Sequence, residues 1–143
     1  MTRFIYYAKF EPGDDSGIVV TFPDVPEAIT QGDDMADARA QAEEALGLAL
    51  LTYPERHLAL PLARSKGRGL MPIAVAPEIA AKLAVLDAFR RTKITKTELA
   101  RRLGKDEKEI RRILNPKHPT KLPALTAALA ALGRRLVVGV EAA

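Results

Sequence analysis

The stretch Ile94-Thr-Lys-Thr-Glu-Leu-Ala-Arg-Arg-Leu-Gly-Lys-Asp-Glu-Lys-Glu-Ile-Arg-Arg-Ile-Leu-Asn-Pro116 reads as two short helices and the turn between them. Leu99, Ala100, Leu103, Ile110 and Ile113 fall at helical spacing, so each helix has one apolar side. Ala100 is small where two helices must cross closely. Gly104 follows Leu103, where the chain has to turn sharply and a positive φ costs glycine little. Thr95 and Asp106 are side chains that accept from the free N–H groups of a first turn, which sets the helices at Lys96–Leu103 and Glu107–Leu114. This is a helix-turn-helix pattern. Its second helix would lie in the major groove and present Glu107, Lys108, Arg111 and Arg112 to base edges. Arginine fits guanine O6 and N7, and lysine and glutamate suit guanine and cytosine. Thr95, Lys96, Thr97, Lys117 and Lys121 are placed to hold phosphates, which orients the module without reading sequence. A plain helical hairpin with solvated charges would share the leucine and glycine spacing, but the basic exposed positions favour DNA. Lys105 departs from the pattern, which usually has an apolar residue there.

Around this motif the charge is uneven. Residues 1–60 carry 4 Lys and Arg against 11 Asp and Glu, a net of −7, and residues 61–143 carry 18 against 7, a net of +11. Such a division points to a charged partner at each end, nucleic acid at the basic one. Hydrophobic residues make up 48% of the chain and charged residues 28%, so a packed core is expected rather than disorder. There is no cysteine, which excludes disulfides, thiolate metal sites and cysteine nucleophiles. The opening Met1–Asp15 turns acidic too early for a signal peptide, and no apolar run approaches the roughly 20 residues of a membrane span. A soluble, cytoplasmic protein is expected.

The acidic front reads as strands, a helix and a strand. Phe4–Phe10 is rich in aromatic and β-branched residues, and Glu11–Gly17 is dense in turn formers. Ile18, Val20 and Phe22 then alternate with Val19 and Thr21, completing a hairpin. Pro23 and Pro26 end that strand, and Ala28–Gln31 forms a short third one. Asp34 caps a helix whose apolar face is Met35, Ala38, Ala42, Ala45, Leu46, Ala49 and Leu50, and Pro54 stops it. Pro61–Gly69 reads as a flexible basic loop and Leu70–Val75 as a fourth strand. Pro77 opens a helix striped by Ile79, Leu83, Leu86 and Phe89. Past the central motif, Asn115–Lys121 is a turn-rich connection. Leu125, Leu129 and Leu132 define a last helix ended by Gly133, and Leu136–Val140 is expected as a terminal strand. The division between the two halves is placed at 76/77.

The run Gly17-Ile-Val-Val-Thr-Phe-Pro-Asp-Val-Pro26, then Ala28-Ile-Thr-Gln-Gly-Asp33, then an alanine-rich amphipathic helix, resembles HicB-type antitoxins. The resemblance implies an α+β fold in two parts. Residues 1–76 would form a partial ribonuclease-H-like β-β-β-α-β domain, and residues 77–143 a mostly helical helix-turn-helix domain with a C-terminal strand. It implies a partner, a small basic HicA-type ribonuclease toxin covered by the front domain, and repression of the antitoxin's own operon through the DNA-binding domain. The net charge of the front independently suits a basic protein. Asp14, Asp15, Asp24, Asp33 and Asp34 are its candidate toxin contacts, although aspartate in loops and caps also serves local hydrogen bonding. Glu27 and Ala28 stand where the family usually has a small residue followed by Cys or Gly.

Catalysis is not expected. A metal-dependent nuclease needs carboxylates gathered on rigid elements around divalent ions, whereas these lie on turns and a cap. The two histidines, His57 and His118, sit in separate connections, so neither a metal site nor a histidine dyad is indicated. No cofactor is expected. The other reading from a different class is a stand-alone helix-turn-helix regulator whose front domain senses a small ligand. Either regulator should be a homodimer or higher oligomer, since one helix-turn-helix reads few base pairs. The apolar Leu136–Val140 could pair across a two-fold axis.

Overall fold

A computed structural model describes residues 1–143, which fall into two compact units, Met1–Ala80 and Ala81–Ala143. In the first, β1 (Ile5–Pro12) and β2 (Ile18–Thr21) form an antiparallel hairpin with Phe10 opposite Val20. Its loop is closed by Gly13 N–H donating to the Gly17 carbonyl at 2.9 Å, with Gly17 at a φ of 74°. β3 (Ile29–Gly32) pairs antiparallel with β2, and β4 (Met71–Ala74) pairs antiparallel with β1. The sheet order is therefore β3-β2-β1-β4, with the hairpin strands at the centre.

Between β3 and β4 runs α1 (Met35–Glu55), which packs on β2, β3 and β4. The alternation of β1 buries Tyr6 and Ala8, and Val20 and Ile73 are buried from the neighbouring strands. On α1 the buried positions are Ala38, Ala42, Leu46, Gly47, Ala49 and Leu50. Two residues of the expected apolar face fall outside this set: Met35, in the first turn, is 41% exposed, and Ala45 is half-buried. The helix also continues through Pro54 to Glu55. A proline there removes one hydrogen bond in the last turn only, and Arg56 N–H closes that turn on the Thr52 and Tyr53 carbonyls.

The loop Pro61–Gly69, expected to be flexible, is pinned at two points. Tyr6 Oη donates to the Pro61 carbonyl at 2.6 Å. The Asp24 carboxylate accepts from Ser65 N–H at 2.7 Å and Ser65 Oγ at 2.9 Å. Glu27, beside the second proline, accepts from Tyr53 Oη at 2.7 Å and Arg56 Nη2 at 3.1 Å. The Tyr53 hydrogen bond first, then a backbone hydrogen bond and the Arg56 guanidinium, hold its carboxyl below its ordinary value.

The helix α2 (Pro77–Thr92) contains the division between the two units. It is followed by α3 (Lys96–Leu103), α4 (Glu107–Ile113) and α5 (Leu122–Ala131). The second unit is built around Ala81, Val85, Ala88, Leu99, Ala100, Ile110, Ile113, Leu125, Ala128, Leu129 and Leu132. On α2 this face is Ala81, Val85 and Ala88, with Ala84 and Phe89 packed against it; of the expected stripe Leu83 is fully buried, but Ile79, Leu86 and Phe89 are only partly so. Small side chains let neighbouring helices approach closely, so alanine marks the contact more faithfully here than size does. Gly133, at a φ of 77°, follows the end of α5.

The terminal strand is absent. Residues 134–143 have no regular secondary structure, and Val137, Val138 and Val140 are 57%, 76% and 98% exposed. A strand needs a neighbour for its backbone hydrogen bonds, and the second unit is otherwise helical, with no strand to supply them.

Candidate nucleic-acid interface and acidic loops

The arrangement of α3 and α4 follows from three local devices. Thr95 Oγ1 accepts from Glu98 N–H at 3.0 Å, and Asp106 Oδ1 accepts from Glu109 N–H at 2.9 Å, so each helix begins on a side-chain cap. Between them Gly104 takes a φ of 64°. Lys105 N–H then reaches the Ala100 carbonyl at 3.1 Å and Gly104 N–H the Arg101 carbonyl at 3.3 Å, the paired bonds of a Schellman ending. Only the backbone of Lys105 is used in that turn. Its side chain is exposed, which is why a charged residue fits where an apolar one was expected. Leu99, Ala100, Ile110 and Ile113 are all buried, and Leu103 packs against the same core.

The nine residues expected to contact DNA divide into two groups. Lys96, Lys108, Arg111, Lys117 and Lys121 are exposed and form no ion pair. The other four are engaged within the protein. Thr95 is the cap of α3, and Thr97 Oγ1 donates to Glu107 Oε1 at 2.7 Å, tying the first turns of α3 and α4 together. Arg112 lies 3.4 Å from Glu109. Glu98 accepts from Arg101 and Arg102, and those two guanidinium groups lower its carboxyl to about 2. Arg102 also donates to the Ala131 carbonyl at 3.0 Å, at the end of α5.

Lys82 carries no DNA-binding signal in the sequence, where it is one lysine in an apolar stretch of α2, yet it is the one buried charged side chain. Its Nζ donates to the carbonyls of Ile113 at 2.7 Å, Asn115 at 3.2 Å and Arg112 at 3.3 Å, and to Thr120 Oγ1 at 2.6 Å. The carbonyls that end a helix have no partner within it and lie at the negative end of its dipole. Lys82 fills that role for α4 from another helix. Burial pulls its ammonium down to about 8 from 10.5.

In the first unit Asp14 and Asp15 lie in the β1–β2 loop and Asp33 and Asp34 follow β3, at one end of the sheet because Ile18 pairs with Gly32; Asp24 lies between β2 and β3. Asp24 holds Ser65, as described above. Asp34 Oδ1 accepts from Asp37 N–H, and Asp37 Oδ2 accepts from Asp33 N–H, both at 2.8 Å, making a reciprocal cap on α1. The exposed carboxylates of Asp14, Asp15 and Asp33 have no side-chain hydrogen bond. No three His, Cys, Asp or Glu side chains are grouped to hold a metal ion. No helix is long and apolar enough to cross a membrane.

Residues 5–84 match the family described as HicB-like antitoxin of bacterial toxin–antitoxin systems. Antitoxin HicB of Escherichia coli (strain K12) is 39% identical over 131 residues, covering 92% of this chain and 95% of that protein. Antitoxin HicB 2 of Photorhabdus laumondii is 40% identical over 131 residues, covering 92% of each. Antitoxin HicB 1 of the same organism is 35% identical over 136 residues, covering 95% of this chain and 86% of its own. These likenesses define an antitoxin of a toxin–antitoxin system. The chain belongs to the HicB-like antitoxin family.

Proposed function

We propose that this antitoxin neutralises a small basic HicA-type, mRNA-cleaving toxin through its front domain, residues 1–76. We further propose that it represses its own operon through a helix-turn-helix domain, residues 77–143, in the cytoplasm where operon and message both lie. The observation that carries the DNA reading is the row of unpaired cations on and after α4: Lys108, Arg111, Lys117 and Lys121 are exposed and bound to no carboxylate. A lysine or arginine already held by a carboxylate must break that pair to reach a phosphate; these need not. Lys108 and Arg111 lie three residues apart on α4, the spacing at which side chains emerge on one side of a helix. They would face base edges, and Lys96, Lys117 and Lys121 would face phosphates, with two copies of the chain reading half-sites about 34 Å apart.

The toxin reading rests on the family and on charge. The front is acidic, and Asp14, Asp15 and Asp33 keep free carboxylates for a basic partner. Asp24 and Asp34 contribute there chiefly by shaping the loop and the helix start that carry the others. The strand-strand-strand-helix-strand order of the first unit is the order of a partial ribonuclease-H-like fold, which we take to be the scaffold of the toxin-binding surface.

The test is co-expression of the tagged chain with the untagged small open reading frame that neighbours its coding sequence. Stoichiometric capture, together with growth arrest when the neighbour is expressed alone, is the expected result. No captured partner, alongside specific binding to the upstream DNA, would replace the antitoxin mechanism by that of a ligand-responsive repressor.

A further inference from the structure

We propose that Lys82 is a positioning residue for DNA reading, an ammonium that locks the carbonyl end of α4 and the Asn115–Thr120 connection into one fixed arrangement. The proposal rests on the reading of α4 as the base-contacting helix. α4 has seven residues, two turns, too few to hold its own axis in water. Its direction must come from tertiary contacts. Ile110 and Ile113 fix its inner side, both fully buried. Its far end is fixed by Lys82 Nζ, whose three N–H groups are shared among the Arg112, Ile113 and Asn115 carbonyls and Thr120 Oγ1, at 2.6–3.3 Å.

Two features separate this from an ordinary buried lysine. First, a buried charge is costly unless its partners satisfy it, and an apolar side chain of similar volume would often serve packing equally well. Three carbonyls and a hydroxyl converging on one ammonium tie together backbone that packing alone would leave independent. Second, the groups so tied flank the exposed cations: Lys108 and Arg111 on the helix, Lys117 and Lys121 at or beside the connection. Hydrogen bonding to base edges demands placement within about 0.5 Å, whereas attraction to phosphates tolerates looser geometry. Lys82 is itself only 4% exposed and so makes no phosphate contact. Its loss should therefore cost sequence preference far more than general affinity for DNA.

The experiment compares the full-length chain with Lys82→Met and Thr120→Val. Binding is measured to DNA from directly upstream of its coding sequence and to a scrambled fragment of equal length and composition. Cooperative melting is recorded for each protein. For Lys82→Met, affinity for the upstream fragment should fall by about tenfold or more, while affinity for scrambled DNA stays within about twofold. Thr120→Val should lose preference in the same direction by a smaller factor, and it decides the matter if Lys82→Met does not melt cooperatively. Wild-type preference retained in a cooperatively melting variant would overturn the proposal, as would a parallel loss of both affinities. A wild-type chain with no preference for the upstream fragment would instead remove the DNA reading itself, a failure visible before any substitution is made.

Discussion

A methyl group on Gly32 would lie 2.3 Å from the Ala38 backbone nitrogen and 2.6 Å from its Cα. Backbone cannot rotate aside as a flexible side chain can, so the last residue of β3 must be glycine for the start of α1 to pack there. Gly32→Ala is expected to destabilise the chain by about 2–3 kcal/mol, read as a lower melting temperature in calorimetry. An unchanged melting temperature would mean that β3 and α1 can separate at no cost. Single residues also show where sequence reading stops. The capping role of Asp34 is legible because its partner, Asp37, lies three residues away. The hold of Asp24 on the basic loop is not, because Ser65 is 41 residues distant and no local pattern connects them. Thr97 and Glu107, ten residues apart and read from the sequence as phosphate and base contacts, are hydrogen bonded to each other in the free chain.

At the scale of elements, short helices depend on their ends. Glu98 in the first turn of α3 binds Arg101 at 2.6 Å and Arg102 at 3.0 Å, so one carboxylate staples a single turn to the next. Its folded pKa, about 2, lies below the ordinary 4.5. The contribution to stability is therefore present above about pH 4.5 and is lost as the pH falls towards 2. Acid melting curves of wild type and Glu98→Gln should differ at neutral pH and converge across that window. The difference should be small and should shrink in salt, as expected for charges at the surface. A separation that persists at pH 2 would show that Glu98 acts by something other than its charge. The caps at Thr95 and Asp106 belong to the same scale, and replacing either by alanine should cost about 1 kcal/mol.

Across the whole molecule, the exposed apolar tail is the surface we propose for contact with a second copy. Val137, Val138 and Val140 are exposed with no partner in the chain, and such residues lose contact with water when an interface covers them. A chain ending at Arg135 should sediment as a smaller species than the full-length protein at equal concentration. An unchanged association state would rule out the tail as the contact between copies. The two proposed activities should also separate: Arg111→Ala with Arg112→Ala should weaken operator binding and leave capture of the toxin intact. Loss of both would point to misfolding or to a shared surface.

The sequence by itself determined the elements whose causes are local. The hairpin, the capped start of α1, the glycine turn at Gly104 and both caps of the central motif depend on residues within a few positions of one another. Backbone preference and nearby hydrogen bonds express themselves without the rest of the chain. The family, too, was legible in Gly17–Asp33 and the helix after it. Tertiary structure alone decided what depends on distant partners. It left the Leu136–Val140 tail without a strand, because no neighbouring strand offers a ladder. It turned Ala81, Val85 and Ala88 of α2 toward the second core, with Phe89 the one member of the expected stripe packed against it. It pinned the basic loop through Asp24 and Tyr6, and it brought Lys82 to the end of α4, 31 residues away at Ile113. The physical reason is the same in each case: burial and hydrogen-bond satisfaction are settled by which surfaces meet, and a linear pattern carries no record of that meeting.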